Sequence, residues 1–508
     1  MSEILPQHKI RTASHVFCRV ACCLLLLPFA IFAQVLPAGT MIEARLSGAA
    51  GSRISHRGDP IEATIIAPIS ADGQIVVPQG SKLIGSIASA SPIGLGIKHS
   101  HASITFGFDK LLLPNGDAIP VHAQLMEVDT AKEYVDDQGA VRGIHPIASF
   151  SSSLTFYVVP LLLVNPAVGA PVWGVKSMIA PSANSEIGFP TGTEMLLRLS
   201  SAVTFATGNA DFSSPTQSLS PGDLEEIEQM LKNSAQRARM GGHPSDMVNL
   251  LLIGNRSALD RAFYASGWSQ AHRKSPASLY RMYLALTKRI GYPRAPMNAL
   301  TLNGMPSSFV QQKSLNTVQK RHHVRLWQYP GRENVWLGTA AEDIGFKFRW
   351  LHWTHSTDPR IDSERAKVVN DLAFVGCVDA AGLMTRDSAD LVQDPKAEFP
   401  IQTDGDIVAV RLNDCVRPNV MAGVVKTPGA HKRGPFARTL SMLGHELVRS
   451  NILFTAYNTV KLIGGREAKS TAAFKQPAGG VARRLDWLRP ATRVATHSDL
   501  DGTAGGKD

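Results

Sequence analysis

An all-β, barrel-like N-terminal domain, then an α+β sandwich domain, then a basic, partly disordered C-terminal tail: this multidomain fold is what the sequence predicts. Three observations carry it. At 508 residues the chain is too long for one ordinary domain, and at roughly 150 residues per unit it divides into about three, or two plus tails. Short β-rich runs separated by Gly and Pro turns fill residues 35 to 205, whereas strand and helix patterns alternate between 246 and 415. Hydrophobic residues make up 44% and charged residues 19%, a globular composition, yet the formal net charge of +10 is unevenly placed. Lys426 to Arg493 holds thirteen Lys and Arg against three acidic residues, so the excess sits in the tail at 416–508 and the rest is close to balanced. A polybasic tail suits anionic lipid or polymer surfaces; it is equally a solvated, unstructured tail, expected beyond about Pro477, where Gly, Ala and Arg dominate.

At the N-terminus, Lys9, Arg11 and Arg19 precede an apolar run from Val20 to Phe32, and Ala33 offers a small residue for cleavage. This reads as a signal peptide over 1–33 and predicts export to the periplasm or the membrane-associated cell envelope. Retention as an uncleaved anchor is the alternative. Three of the five cysteines, Cys18, Cys22 and Cys23, fall in that leader. With no C-x-x-C, zinc ribbons and thioredoxin-type sites are excluded.

From about 35 to 205, Met41 to Leu46, Pro60 to Ile66 and Ile104 to Leu113 read as strands, bounded by turns such as Arg57-Gly58-Asp59 and Pro114-Asn115-Gly116-Asp117. One stretch breaks the pattern. Pro146 to Val175 carries no Asp, Glu, Lys or Arg, and Pro160, Pro166 and Pro171 interrupt it, so it predicts a broken helical hairpin in contact with membrane rather than one straight span. A buried loop inside the barrel is the competing view. A linker and helix occupy 206–245, with the helix read over Asp223 to Arg239 and ended by Gly241-Gly242.

In the second domain, Met247 to Ile253 reads as a buried strand and Ser257 to Ser266 as a helix. Ser275 caps another helix that starts at Pro276. Strands follow at His322 to Gln328 and Val335 to Thr339, a helix at Asp362 to Phe374, and a closing pair at Cys377 to Met384 and Asp406 to Leu412. Cys377 starts one closing strand and Cys415 lies just past the end of the other. Antiparallel pairing would bring them together as a disulfide, the alternative being two buried thiols.

The signatures for phosphate loops, dinucleotide binding, nucleophile elbows and H-E-x-x-H metalloproteases are absent. What remains is Arg321-His322-His323-Val324-Arg325-Leu326-Trp327. On a strand, Arg321, His323, Arg325 and Trp327 share one face. Two guanidinium groups beside an imidazole suit carboxylate or phosphate. They are also costly to bury unpaired, so either a ligand or internal carboxylates such as Asp343 and Glu364 must satisfy them. His355, Asp362, Glu364 and Arg365 complete the candidate binding set, expected nearby in space. His323 and His355 are weak candidates for metal ligands or for acid and base; the spacing matches no particular metal, and no cofactor is indicated. Structural readings stand beside these: Asp362 as a helix cap, Glu364 and Arg365 as a surface ion pair.

Two resemblances add to this reading. Leu36-Pro37-Ala38-Gly39-Thr40, Ile75 to Gly85 and Pro190-Thr191-Gly192-Thr193-Glu194 resemble the C-terminal barrel of TrbI-like scaffold proteins of conjugation and type IV secretion. That likeness implies a barrel whose apolar helical hairpin inserts into a membrane, with Pro146 to Val175 in the comparable place. Gly267-Trp268, Ala295-Pro296, Arg321 to Trp327, Trp336-Leu337-Gly338, His355 and Ile361-Asp362-Ser363-Glu364-Arg365 resemble the LssY-type C-terminal domain, over about 247 to 415. That domain's biochemistry is undetermined. Longer relatives carry phosphatase motifs or multi-pass membrane segments that this chain lacks, so their activity does not transfer.

The sequence therefore reads as a non-enzymatic binding or scaffold module of the cell envelope. Its expected partners are a membrane, an anionic ligand or an envelope protein, without nucleic acid, and with room for an oligomer. The alternatives are a hydrolase acting on an envelope substrate and a subunit of a secretion-type assembly.

Overall fold

The computed structural model describes residues 34–93, 101–129, 132–145, 150–180, 183–205, 212–315, 320–349, 352–385, 401–415, 483 and 485–488. The leader expected over 1–33 and most of the tail lie outside the described residues.

Six antiparallel strands form the first domain: β1 (Met41–Leu46), β2 (Pro60–Ile65), β3 (Lys82–Ser91), β4 (Ser103–Leu112), β5 (Ala118–Val128) and β6 (Glu194–Leu199). They pair in the order β4-β3-β2-β1-β6-β5, and β5 returns to β4, so the sheet closes on itself as a barrel. Alternation fills it. Along β4, Ile104, Phe106 and Phe108 are buried and meet Leu83, Ile87, Leu125 and Leu197 in the interior. Closure bends the sheet hard at one place. A Cβ on Gly85 would lie 1.8 Å from the Gly107 carbonyl oxygen, so β3 and β4 cross there only because that position has no side chain.

Between Arg142 and Gly188 the chain leaves the barrel as two antiparallel helices, α1 (Phe150–Val164) and α2 (Pro166–Ile179). Asn165 and Pro166 separate them, with Pro166 at the first helical position, where its missing N–H costs nothing. Gly169 lets the two backbones touch: a Cβ there would sit 2.2 Å from Leu162 Cα. A helical hairpin, not a buried loop, thus occupies the charge-free stretch. Tyr157, Leu163, Val164, Val175, Met178 and Ile179 are exposed on it. No helix among the described residues is long and apolar enough to cross a membrane.

α3 (Pro221–Lys232) starts from Ser220 in a capping box with Asp223. It stops at Lys232, short of the expected Arg239. Arg237–Met240 is instead a strand paired with His243–Met247, and Gly241-Gly242, with φ of 56° and 86°, is their hairpin turn rather than a helix end.

The second domain is built on one mixed sheet. Its central strands are β7 (Leu250–Ile253), β8 (Phe309–Ser314), β9 (Lys320–Tyr329), β10 (Arg332–Arg349), β11 (His352–Thr357), β12 (Val378–Met384) and β13 (Ile407–Leu412). They run β12-β13-β7-β10-β9-β8, and β11 pairs with β10; β7 and β13 are parallel and the neighbouring pairs antiparallel. Alternate residues face two cores. Leu250, Leu252, Val324 and Leu326 pack against α4 (Arg256–Ala265) and α6 (Ile361–Phe374). Leu251, Leu337 and Trp327 pack on the other side with Ile227 and Met230 of α3. α5 (Pro276–Lys288) carries the Ser275 capping box and lies beside the hairpin, where Tyr283 Oη donates to the Ile179 carbonyl at 3.0 Å.

Cys377 and Cys415 are joined by a disulfide with Cα atoms 4.6 Å apart, where Asn413 N donates to the Cys377 carbonyl. Thiol titration of denatured, unreduced protein lacking the leader is expected to find no free thiol; two per chain would refute the link.

Part of the tail packs against the second domain. Arg483, Leu485, Trp487 and Leu488 are buried, the last three within the core that α6 shares. The expected disorder beyond about Pro477 therefore does not extend to them. Apolar side chains set three apart in a basic, Gly-rich region supply the burial that composition averages away.

Candidate functional site

The strand β9 presents two chemically different faces. On the outer one, Arg321 Nε donates to Asp343 Oδ2 at 2.8 Å and Arg325 Nη1 to Asp246 Oδ2 at 2.7 Å. His323 lies between those carboxylates, with Nε2 3.4 Å from Asp246 and Nδ1 3.8 Å from Asp343. Burial alone would raise the Asp246 carboxyl, but Arg325 and His323 hold it well below the usual range. Trp327, on the same face, donates Nε1 to the Met305 carbonyl at 3.0 Å and is core. Both guanidinium groups are thus occupied by carboxylates of the same domain.

Asp362, Glu364 and Arg365 do not gather there. Asp362 is not a cap, since α6 starts at Ile361 without a side-chain cap. Asp362 accepts from Thr403 Oγ1 and Asp404 N, both at 2.7 Å, and lies 3.2 Å from Arg365, which also pairs with Asp404 at 2.7 Å. This ties the start of α6 to the loop before β13. Glu364 and Arg365 are buried, not a surface pair, and they point to different partners. His355 pairs through its backbone with Phe346, and its side chain lies outside the described residues.

The densest polar cluster lies on the other face, where the barrel meets the second domain. α6 is caught between them and is buried nearly throughout. Its apolar residues Val368, Val369 and Leu372 enter the second core. Lys367, Asn370 and Asp371 meet the barrel, as spacings of three and four along a helix allow, and Glu364 one turn earlier on the same stripe meets His322. Lys367 Nζ pairs with Glu194 and lies 3.0 Å from Asp129, both barrel residues. Glu194 also accepts from Lys313 and, at 2.7 Å, from Arg45. Asp371 accepts from Arg45 at 3.1 Å, Lys313 at 3.0 Å and Trp268 Nε1 at 2.9 Å. Arg483 of the tail closes the seam, 2.9 Å from Glu43 and 2.8 Å from Asp129. Asn370 donates to Glu43 at 2.8 Å and accepts from Trp487 Nε1 at 3.0 Å.

His322, on this inner face, is fully buried. Its Nδ1 is 2.7 Å from Glu364 Oε2 and its Nε2 is 3.4 Å from Asp129 Oδ2. Burial would lower the imidazole, but Glu364 and Asp129 push it up to about 10. Glu342, its cross-strand neighbour on β10, is pushed up to about 8, chiefly by burial and against the pull of His322. For Asp129 and Glu194, burial opposes ionisation, but Lys367 with Arg483 and Lys313 with Lys367, respectively, hold each well below the usual range. Glu43, Asp129, Glu194, Glu342, Glu364 and Asp371 face Arg45, Lys313, Lys367, Arg483 and His322.

This cluster was missed in the sequence because its members come from six distant segments, around Glu43, Asp129, Glu194, His322, Lys367 and Arg483. The helical spacing of Glu364, Lys367 and Asp371 is visible there, but it is also the pattern of a solvated face.

The exposed part of the cluster is small, and the comparisons point to a domain rather than to a reaction. No curated protein matches the chain. Among solved structures, ComB10 of the Com type IV secretion system of Helicobacter pylori aligns at 15% identity over 36% of this chain and 98% of that one, with a TM-score of 0.20, a likeness too slight to bear on fold or role. Residues 228–407, from within α3 to the start of β13, match the family model described as LssY C-terminus.

Proposed function

We propose that this chain is an exported envelope scaffold in which barrel and LssY-type domain act as one body, and that the α1–α2 hairpin seats it on a membrane. The observation that carries the reading is the hairpin's exposed apolar surface. Tyr157, Leu163, Val164, Val175, Met178 and Ile179 are all exposed on a stretch whose one charge, Lys176, is buried. Exposed apolar surface of that kind along both helices suits a membrane or protein contact. At 1.5 Å per residue, the 15 residues of α1 reach roughly 22 Å, less than the roughly 30 Å hydrocarbon core, which suits insertion into one leaflet. The non-enzymatic reading is supported by Asp246 and Asp343, which hold the guanidinium groups that an anionic substrate would need.

Flotation with phosphatidylethanolamine–phosphatidylglycerol vesicles tests this. Protein lacking the leader should float, and the double variant Leu163→Asp, Met178→Asp should stay at the bottom with an unchanged thermal midpoint. Equal flotation of both proteins would remove the hairpin as the membrane contact.

A further inference from the structure

We propose that His322, Glu342 and Glu364 form a site for one first-row divalent cation at the seam between the two domains. Each residue brings a ligand atom within 4.8 Å of the other two, and all three are buried. Donors about 2.1 Å from one ion lie at most about 4.2 Å apart, so the three would close in slightly around it. The donors stand on rigid supports: His322 and Glu342 are direct cross-strand partners on β9 and β10, and Glu364 is in the first turn of α6. Sites on paired strands and a helix hold geometry better than sites on loops.

A second observation points to a ligand. Glu364 Oε1 is buried and makes no hydrogen bond, so one carboxylate oxygen of the triad has no partner. Buried polar atoms without a partner are costly, and a cation would engage such lone pairs. Asp129, 3.4 Å from His322 Nε2, stands where a barrel carboxylate could add a further ligand. The neighbouring cations Lys367 and Arg483 oppose a metal ion, but each is already matched by carboxylates outside the triad, Glu194 and Glu43. One imidazole and two carboxylates form a nitrogen and oxygen donor set, which suits zinc or manganese rather than a soft, thiolate-seeking ion. This site is separate from the outer-face histidine, His323, which the sequence suggested for metal.

Protein lacking the leader would be stripped with chelator, dialysed against zinc or, separately, manganese, desalted and analysed for bound metal. One ion per chain is expected, with a raised thermal midpoint. Glu342→Gln keeps the shape of the protonated acid and should fold, yet weaken binding by more than about 100-fold, beyond what loss of an outer-shell partner causes. Retention of neither ion by the folded parent, or unaltered retention by folded Glu342→Gln, would overturn the site. If Glu342→Gln does not fold, Glu364→Gln is held to the same standard.

Discussion

Lys367→Met lowers the unfolding free energy by about 3–5 kcal/mol, the loss that follows when one partner of a buried ion pair is removed. The ammonium is fully buried between Asp129 and Glu194 of the barrel and Asp371 one turn along α6. Methionine fills the space but leaves Asp129 and Glu194 facing each other's charge in a dry seam. Lys313 and Arg45 still reach Glu194, and Arg483 and His322 still reach Asp129, which keeps the loss below the cost of two bare carboxylates. The triple change Lys367→Met, Glu194→Gln, Asp129→Asn should recover part of the loss, since a neutral seam has no charge to strand. Urea unfolding of the three proteins reads this directly. A loss under about 1 kcal/mol for Lys367→Met would mean that water reaches the seam, because exposed pairs are worth no more than that.

That seam also marks the boundary of what the sequence could tell. Local signals carried far: Ser275-Pro276 starts a helix where a cap and a fixed φ say it should, and the alternation in His322 to Leu326 gives the strand and its two faces. Gly241-Gly242 was legible as a break but not as a kind of break, since positive φ serves a helix end and a hairpin turn alike. Asp129, Glu194, Lys367 and Arg483 were not legible as a set. They are as much as 354 positions apart, each alone reads in the sequence as an ordinary charged surface residue, and the energy that gathers them depends on burial between two domains. For the outer face of β9 the sequence left open a ligand or internal carboxylates such as Asp343 and Glu364, and Glu364 pairs with His322 on the other face instead. Asp343 was among those considered, but Asp246 lies in the segment assigned to a domain start, where nothing local singles it out.

In chelator-treated protein, stability should peak between about pH 4.5 and 6.5 and fall on both sides. On the acid side, Asp129, Glu194, Glu364 and Asp246 are held below their unfolded values, chiefly by Lys367, Lys313, His322 and Arg325 working against burial. Their contribution is complete above the ordinary carboxylate range and is lost as pH falls through the folded values. The alkaline side is less usual. Glu342 has an ordinary value of 4.5 when unfolded and about 8 when folded, so between those values the folded state holds the extra proton. Stability from that group is full below 4.5 and declines by about 1.4 kcal/mol per pH unit on the way to 8, because one proton must be given up to match the unfolded chain. His322 follows the same sign from 6.5 to about 10. Urea unfolding should therefore give a stability about 3 kcal/mol lower at pH 8 than at pH 5.5 from Glu342 alone. Glu342→Gln, which cannot ionise, should flatten that share and be the more stable protein at pH 8. Equal stability of the parent at the two pH values, or a rise toward pH 8, would mean that Glu342 ionises freely in the fold.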